Sequence, residues 1–235
     1  MDGNRRYARG HGFKSVLVGH ARGAAIAASV LTWWANLAAF CDNENSAPGP
    51  RVLTLWALSS DNLKRPKDEL EGLLLLLARE LRMLALSALV HQLKIRVCVI
   101  GSATAIREFP EYLRDAIEMV EHETARYSSV NGLVLQIAVG YGGQDEIVDG
   151  VRRLAARGEE VTIASLTRQT YSALNGVAPV NLIVRTSERR TSGFLLWETQ
   201  GAEICFIDKL WPELNEADWL SAVRMFGRTE QRFGK

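Results

Sequence analysis

The sequence predicts an α/β fold: a single domain over residues 1–235, with a central parallel sheet flanked by helices. Two observations lead there. Five short apolar runs, at residues 51–58, 95–100, 133–139, 181–184 and 204–207, are rich in β-branched side chains and end on Gly, Ser or charged residues, as buried strands do. Helical stretches at 21–40, 67–93, 106–127, 144–157 and 162–174 separate most of these runs. Such alternation packs helices on both faces of a parallel sheet. With 235 residues, 47% of them hydrophobic and 23% charged, the chain is long enough to bury one core of this kind.

The elements follow in order. Gly23 to Phe40 carries no charge, but it is mostly alanine and includes Ser29, Thr32 and Asn36, so it reads as a buried helix and not a membrane span. Leu70, Leu73, Leu74, Leu77, Leu81 and Leu84 recur at three- and four-residue spacing and mark one face of a long helix, interrupted for membrane purposes by Arg79, Glu80 and Arg82. Cys41 to Pro50 is a polar loop with two prolines. From Glu216 the chain reads as a helix followed by a basic tail.

Composition narrows the function. A formal net charge of +1 supplies no global pull toward nucleic acid or an anionic membrane, so no nucleic-acid partner is expected. Cys41, Cys98 and Cys205 are odd in number and widely spaced, which fits reduced thiols. The opening MDGNRRYARG lacks the apolar stretch of a secretory leader. The expected location is the cytoplasm, with at most peripheral membrane association through a lipid product.

In parallel sheets, ligands sit beyond the carboxyl ends of the strands. Polar residues gather there: Ser59, Ser60, Asp61 and Asn62 after one run, Tyr141, Gly142 and Gly143 after another, and Arg185 to Ser192 after a third. That third stretch concentrates the guanidinium groups of Arg185, Arg189 and Arg190 with the hydroxyls of Thr186, Ser187, Thr191 and Ser192, a donor set suited to phosphate oxygens. A solvated charge run is the plainer alternative. Nucleotide loops are disfavoured, because Asp145 stands where a dinucleotide fingerprint has its third glycine and no Gly-Lys-Ser/Thr follows. His11, His20, His91 and His122 form no helical metal pair, and no serine-hydrolase elbow occurs.

Taken together, MDGNRRYA at the start, VGHARG at 18–23, LSSDNLKRP at 58–66, AVGYGG at 138–143, VRTSERRTSGFLLW at 184–197, AEICF at 202–206, LWPE at 210–213 and the final RFGK resemble the cis-prenyltransferases, in that family's order. That family includes undecaprenyl, dehydrodolichyl and short-chain cis-polyprenyl diphosphate synthases. The resemblance implies an Mg2+-dependent isoprenoid-biosynthetic transferase that condenses isopentenyl diphosphate with an allylic prenyl diphosphate. Asp2 matches the carboxylate that holds Mg2+, a hard cation suited to carboxylate and phosphate oxygens. Gly3, Asn4, Arg5 and Arg6 match the diphosphate cradle, with His20 nearby, and Arg6 falls where a helix should begin. Ser59 and Asn62 match residues that orient isopentenyl diphosphate and assist loss of its proton, with Arg65 as a further substrate contact. Arg185, Arg190 and Ser192 match the isopentenyl diphosphate site, and Glu203 a second carboxylate contributing to Mg2+. Arg232, Phe233 and Gly234 match a C-terminal element that reaches a partner's site in family homodimers, so a homodimer is implied. Leu73, Leu74 and Leu77 are read either as tunnel lining or as ordinary core. Ala57, before Leu-Ser-Ser, matches a tunnel position that limits chain growth, and its small side chain leaves room for a longer product.

The chain also departs from the family pattern. No apolar strand precedes Asp2, so the N-terminal strand is expected to be missing; the expectation is that upstream residues would raise stability and activity. Arg185-Thr186-Ser187-Glu188 is one glycine short, which must alter the loop's backbone path. Gln144, Asn181 and Val16 stand where Arg, Asp and Arg are usual. Two alternatives accompany the catalytic reading: a non-catalytic partner subunit, and a variant that couples or cyclises short prenyl diphosphates.

Overall fold

The structure is a computed structural model that describes residues 1–43, 49–128 and 132–229. Along the chain lie α1 (Asn4–Gly10), α2 (Val16–Asn43), β1 (Val52–Ser59), α3 (Lys67–Ala85), α4 (Ala88–Gln92), β2 (Arg96–Ile100), α5 (Ala103–Glu108) and α6 (Glu111–Ala125). Then follow β3 (Val134–Tyr141), α7 (Gly143–Ala156), α8 (Ile163–Thr167), α9 (Tyr171–Leu174), β4 (Leu182–Thr186), β5 (Glu203–Ile207) and α10 (Glu216–Arg228). All five expected strands form. Three expected helices are broken, each at a local capping group. Ser87 Oγ accepts from Val90 N and starts α4 afresh. Pro110, extended at ψ 147°, caps α6 after α5 ends. Thr170 Oγ1 accepts from Ala173 N and separates α9 from α8. Conversely, α2 begins five residues earlier than expected, where Ser15 Oγ accepts from Leu17 N.

The chain forms two compact units, Met1–Ile26 with Gly142–Lys235, and Ala27–Tyr141. In Ala27–Tyr141 the strands form a parallel sheet of order β1-β3-β2. Every residue of β3 is buried, as a strand covered on both faces requires. The free edge of β2 is closed by α6: Thr124 Oγ1 accepts from Val97 N at 3.0 Å and Glu121 Oε1 from Val99 N at 2.8 Å, so side chains replace a neighbouring strand. Helix α3 packs on α6 and buries Leu74, Ala78, Leu81 and Ala85, while Leu73 and Leu77 stay half-buried. The buried ridge is thus set partly by alanines, which let the helices approach, and not by the leucine series alone. Strand β1 pairs Trp56 with Ala138 and Leu58 with Val139, so Ala57 sits in a bulge. A bulge re-aims side chains at a strand's end.

In the other unit, β4 and β5 pair in parallel, and α10 packs on both with Trp219 and Ala222 buried. The α/β class and parallel pairing hold in both units, with the strands divided three and two. Asp2 and Gly3 lead directly into α1. Helix α2 is long and apolar enough to cross a membrane by length and composition over Val16–Asp42, yet Ile26, Val30, Trp34 and Ala38 form a buried stripe at helical spacing and Phe40 is 60% exposed. One face of this helix is core.

Candidate active site

The expected metal ligand, Asp2, is held by its own backbone. Its carbonyl oxygen accepts from Trp211 N at 2.8 Å and from Thr186 Oγ1 at 3.3 Å. The next residue, Gly3, turns the chain into α1 at φ 106°, a conformation that favours glycine, and a Cβ there would meet Leu210 at 2.9 Å. So fixed, the Asp2 carboxylate accepts through Oδ2 from Arg185 Nη2 at 3.0 Å and from Arg6 Nη2 at 3.3 Å.

Helix α1 lies close against the start of α2 because two positions there lack a side chain. A Cβ on Gly19 would stand 2.0 Å from Asn4 O, and one on Gly23 would stand 2.4 Å from Asn4 Oδ1. Between these glycines His20 is buried, its Nδ1 3.4 Å from Asn4 Nδ2. Trp211 Nε1 donates to Gly23 O at 2.8 Å, tying the same turn to both Asp2 and α2.

After β4 the chain takes left-handed turns at three non-glycine residues: Ser187 (φ 79°), Ser192 (φ 53°) and Leu195 (φ 47°). Each costs on the order of 1 kcal/mol, and such strain gathers at functional loops. Ser187 lies in the stretch that is one glycine short. The turn carries Glu188 toward arginines: it pairs with Arg6 at 3.3 Å, with Arg185 at 3.7 Å, and with Arg190. Arg189 points elsewhere, to Asp208 at 2.7 Å, with both side chains 73% exposed. The arginine run therefore divides. Arg185 and Arg190 join the cluster, and Arg189 fits the solvated reading.

The same loop is braced from behind. Gly143 approaches Gly193 so closely that a Cβ would stand 2.2 Å from Gly193 O, and Trp197 Nε1 donates to Thr167 Oγ1 at 3.0 Å. Glu198 is buried, and burial pushes its carboxyl up to about 7; Glu146 adds to this, while hydrogen bonds from Ser172 and Thr170 oppose it. Glu146, also buried, accepts from Tyr171 N.

The chain matches over residues 1–234 the prenyltransferase family described as "Putative undecaprenyl diphosphate synthase". It is 39% identical over 247 residues to an isoprenyl transferase of Thermus thermophilus, covering 100% of this chain and 86% of that one. The chain belongs to the undecaprenyl diphosphate synthase family. Another relative is the tritrans,polycis-undecaprenyl-diphosphate synthase (geranylgeranyl-diphosphate specific) of Methanopyrus kandleri, 36% identical over all of this chain and 82% of that one. Among solved structures, lavandulyl diphosphate synthase from Lavandula x intermedia, in complex with dimethylallyl diphosphate, superposes with a TM-score of 0.78 at 27% identity, over 100% of this chain and 95% of that one. As a member of this family, the protein is a prenyltransferase of the polyprenyl diphosphate synthase class.

In this synthase-family chain, Asp2, Arg6, Arg185 and Arg190 come together around Glu188, and Asn4 meets His20. Arg5 is half-buried on α1, and Ser192 is exposed. Ser59 and Asn62 form their own pair at the end of β1: Ser59 Oγ accepts from Asn62 N at 3.2 Å, and Asn62 Oδ1 from Ser59 N at 3.3 Å. Arg65 pairs with Glu69 at 3.0 Å. Glu203 opens β5 opposite Leu182, whereas Thr186, which touches Asp2, pairs with Ile207. Four residues of strand, about 13 Å, lie between those two ends. Among the described residues no group of three or more His, Cys, Asp or Glu forms a metal cage. Arg232, Phe233 and Gly234 lie outside the described residues. Sequence reading missed the bridging position of Glu188, the close contacts of Gly19 and Gly23, and the Trp211 clamp. The four-residue spacing of the two glycines beside an Asp-Gly-Asn stretch was the only available signal, and it concerned α2 alone.

Proposed function

We propose that the protein adds isopentenyl diphosphate to an allylic prenyl diphosphate at the Asp2 cluster, with Mg2+, to make a cis-polyprenyl diphosphate. The observation that carries this is three arginines converging with the Asp2 and Glu188 carboxylates on a fixed turn, because both substrates bear diphosphates and a guanidinium fork suits their oxygens. The half-exposed Asp2 carboxylate suits Mg2+, which commonly takes one or two protein carboxylates and completes its shell with phosphate oxygens and water. When bound there, Mg2+ supplies charge that stabilises the departing diphosphate. Arg6 holds that group's oxygens, Arg185 and Arg190 face the isopentenyl diphosphate, and Asn4, set against the buried His20, orients the helix that carries Arg6. Ser59 and Asn62 hold isopentenyl diphosphate for loss of its proton, and Glu203 assists at the isopentenyl diphosphate site. The working form is a homodimer. Ala57, small and set in a bulge, favours a product longer than that of a strict short-chain enzyme.

The test is to incubate the protein with Mg2+, isopentenyl diphosphate and allylic primers of increasing length, then to identify products by mass. Linear products lengthened by five-carbon steps are expected. No lengthening with any primer would favour the partner-subunit reading, and a branched or cyclic product the coupling variant.

A further inference from the structure

We propose that Glu188 is the internal counter-ion of the diphosphate site: in the ligand-free chain its carboxylate holds Arg6, Arg185 and Arg190, and an incoming diphosphate displaces it. This rests on the proposed function of the cluster. Arg6 comes from α1, while Arg185 and Arg190 come from the end of β4 and its loop, 182 residues away from Arg6 at Glu188. Like charges near one another without counter-ions repel, so a cradle of three guanidiniums needs anions to stay assembled when empty. Two carboxylates fill that need. Asp2 pairs with Arg6 and Arg185 and retains a use beside a bound diphosphate as a metal ligand. Glu188 touches all three arginines, and a carboxylate that holds no metal repels a diphosphate bound beside it.

The backbone fits a displaceable group. Glu188 follows Ser187, held at φ 79°, and its N–H donates to Thr186 O in a tight turn. That turn is strained for serine, and the three ion pairs offset the strain. When a diphosphate takes over the arginines, Glu188 loses the pairs that held the turn, and its side chain, 28% exposed, has a path to solvent. The plainer alternative is a brace that the loop needs with or without ligand. The two differ in the sign of one effect.

Titration calorimetry at fixed ionic strength, with inorganic diphosphate and separately with isopentenyl diphosphate, reads that sign. Glu188→Gln keeps the size and removes the charge, and is expected to bind about three- to tenfold more tightly than wild type, the range of half-buried charged pairs. The apparent KM for isopentenyl diphosphate should fall with it while kcat does not rise. Equal or weaker binding by a variant that melts as wild type does would overturn the counter-ion and leave the site reading intact. If the Gln variant fails to fold, Glu188→Asp, whose shorter arm loosens the same pairs, should still bind about twofold more tightly, and equal or weaker binding overturns the proposal equally. Wild-type protein that binds neither probe would overturn the site reading and the counter-ion together.

Discussion

Asp2→Ala is expected to lower turnover about a thousandfold while leaving the fold intact. A metal at a departing diphosphate contributes several kcal/mol, and each 1.4 kcal/mol is tenfold in rate, so about 4 kcal/mol gives that factor. The folded state loses little by comparison. The contacts that hold this turn come from the backbone: Asp2 O accepts from Trp211 N and Thr186 Oγ1, and an alanine keeps both. Arg6 and Arg185 each keep Glu188 as a partner, so neither is left without an anion. Partly exposed pairs of this kind contribute at most about 1 kcal/mol. Melting curves and single-turnover rates check the two halves separately. A variant that turns over within tenfold of wild type would remove Asp2 from the chemistry, and one that fails to fold would show that its side chain, not its carbonyl, holds the turn.

Gly19→Ala carries a large expected cost to stability. The new Cβ would stand 2.0 Å from Asn4 O, a backbone atom of α1 that has no rotamer to change. Either α1 moves away from α2 or both helices distort, and overpacking of that severity costs about 3 kcal/mol. For a chain of this size the melting temperature should fall by roughly 6–12 °C. Activity should fall as well, because α1 carries Asn4 and Arg6 and its displacement pulls Arg6 from Asp2 and Glu188. Gly10→Ala is the control: it lies at the end of α1, where a Cβ meets nothing within 4 Å, and it should melt and turn over as wild type does. Equal melting temperatures for the two variants would contradict the close approach of α1 to α2.

The strands were legible in the sequence because β-branched runs ending on Gly, Ser or charge obey a local rule, and β3, buried at every residue, obeys it most fully. Helix ends were less so. Ser87 and Thr170 cap new helices only because each hydroxyl reaches a backbone N–H three residues on, and apolar periodicity continues through both points. The division of five strands into a sheet of three and a sheet of two depends on hydrogen bonds between distant segments, which no local pattern encodes. The site divides in the same way. Ordered motifs pointed to Asp2, Asn4, Arg6, Arg185 and Arg190, and the structure brings the charged members of that set into one cluster. Glu188 sat unnoticed inside a charge run, since its contact with Arg6 spans 182 residues. Likewise the missing loop glycine predicted a changed backbone path, but not that Ser187 would adopt φ 79° and turn Glu188 inward.

The central claim, that Asp2 and its arginines hold a metal and a diphosphate, is tested most directly by a crystal grown with Mn2+ in place of Mg2+ and an unreactive allylic thiolodiphosphate. Anomalous scattering locates the metal without reference to the protein model. A peak at bonding distance from an Asp2 carboxylate oxygen is expected, with diphosphate oxygens against Arg6. A metal bound elsewhere while Asp2 stays paired to both arginines would contradict that claim.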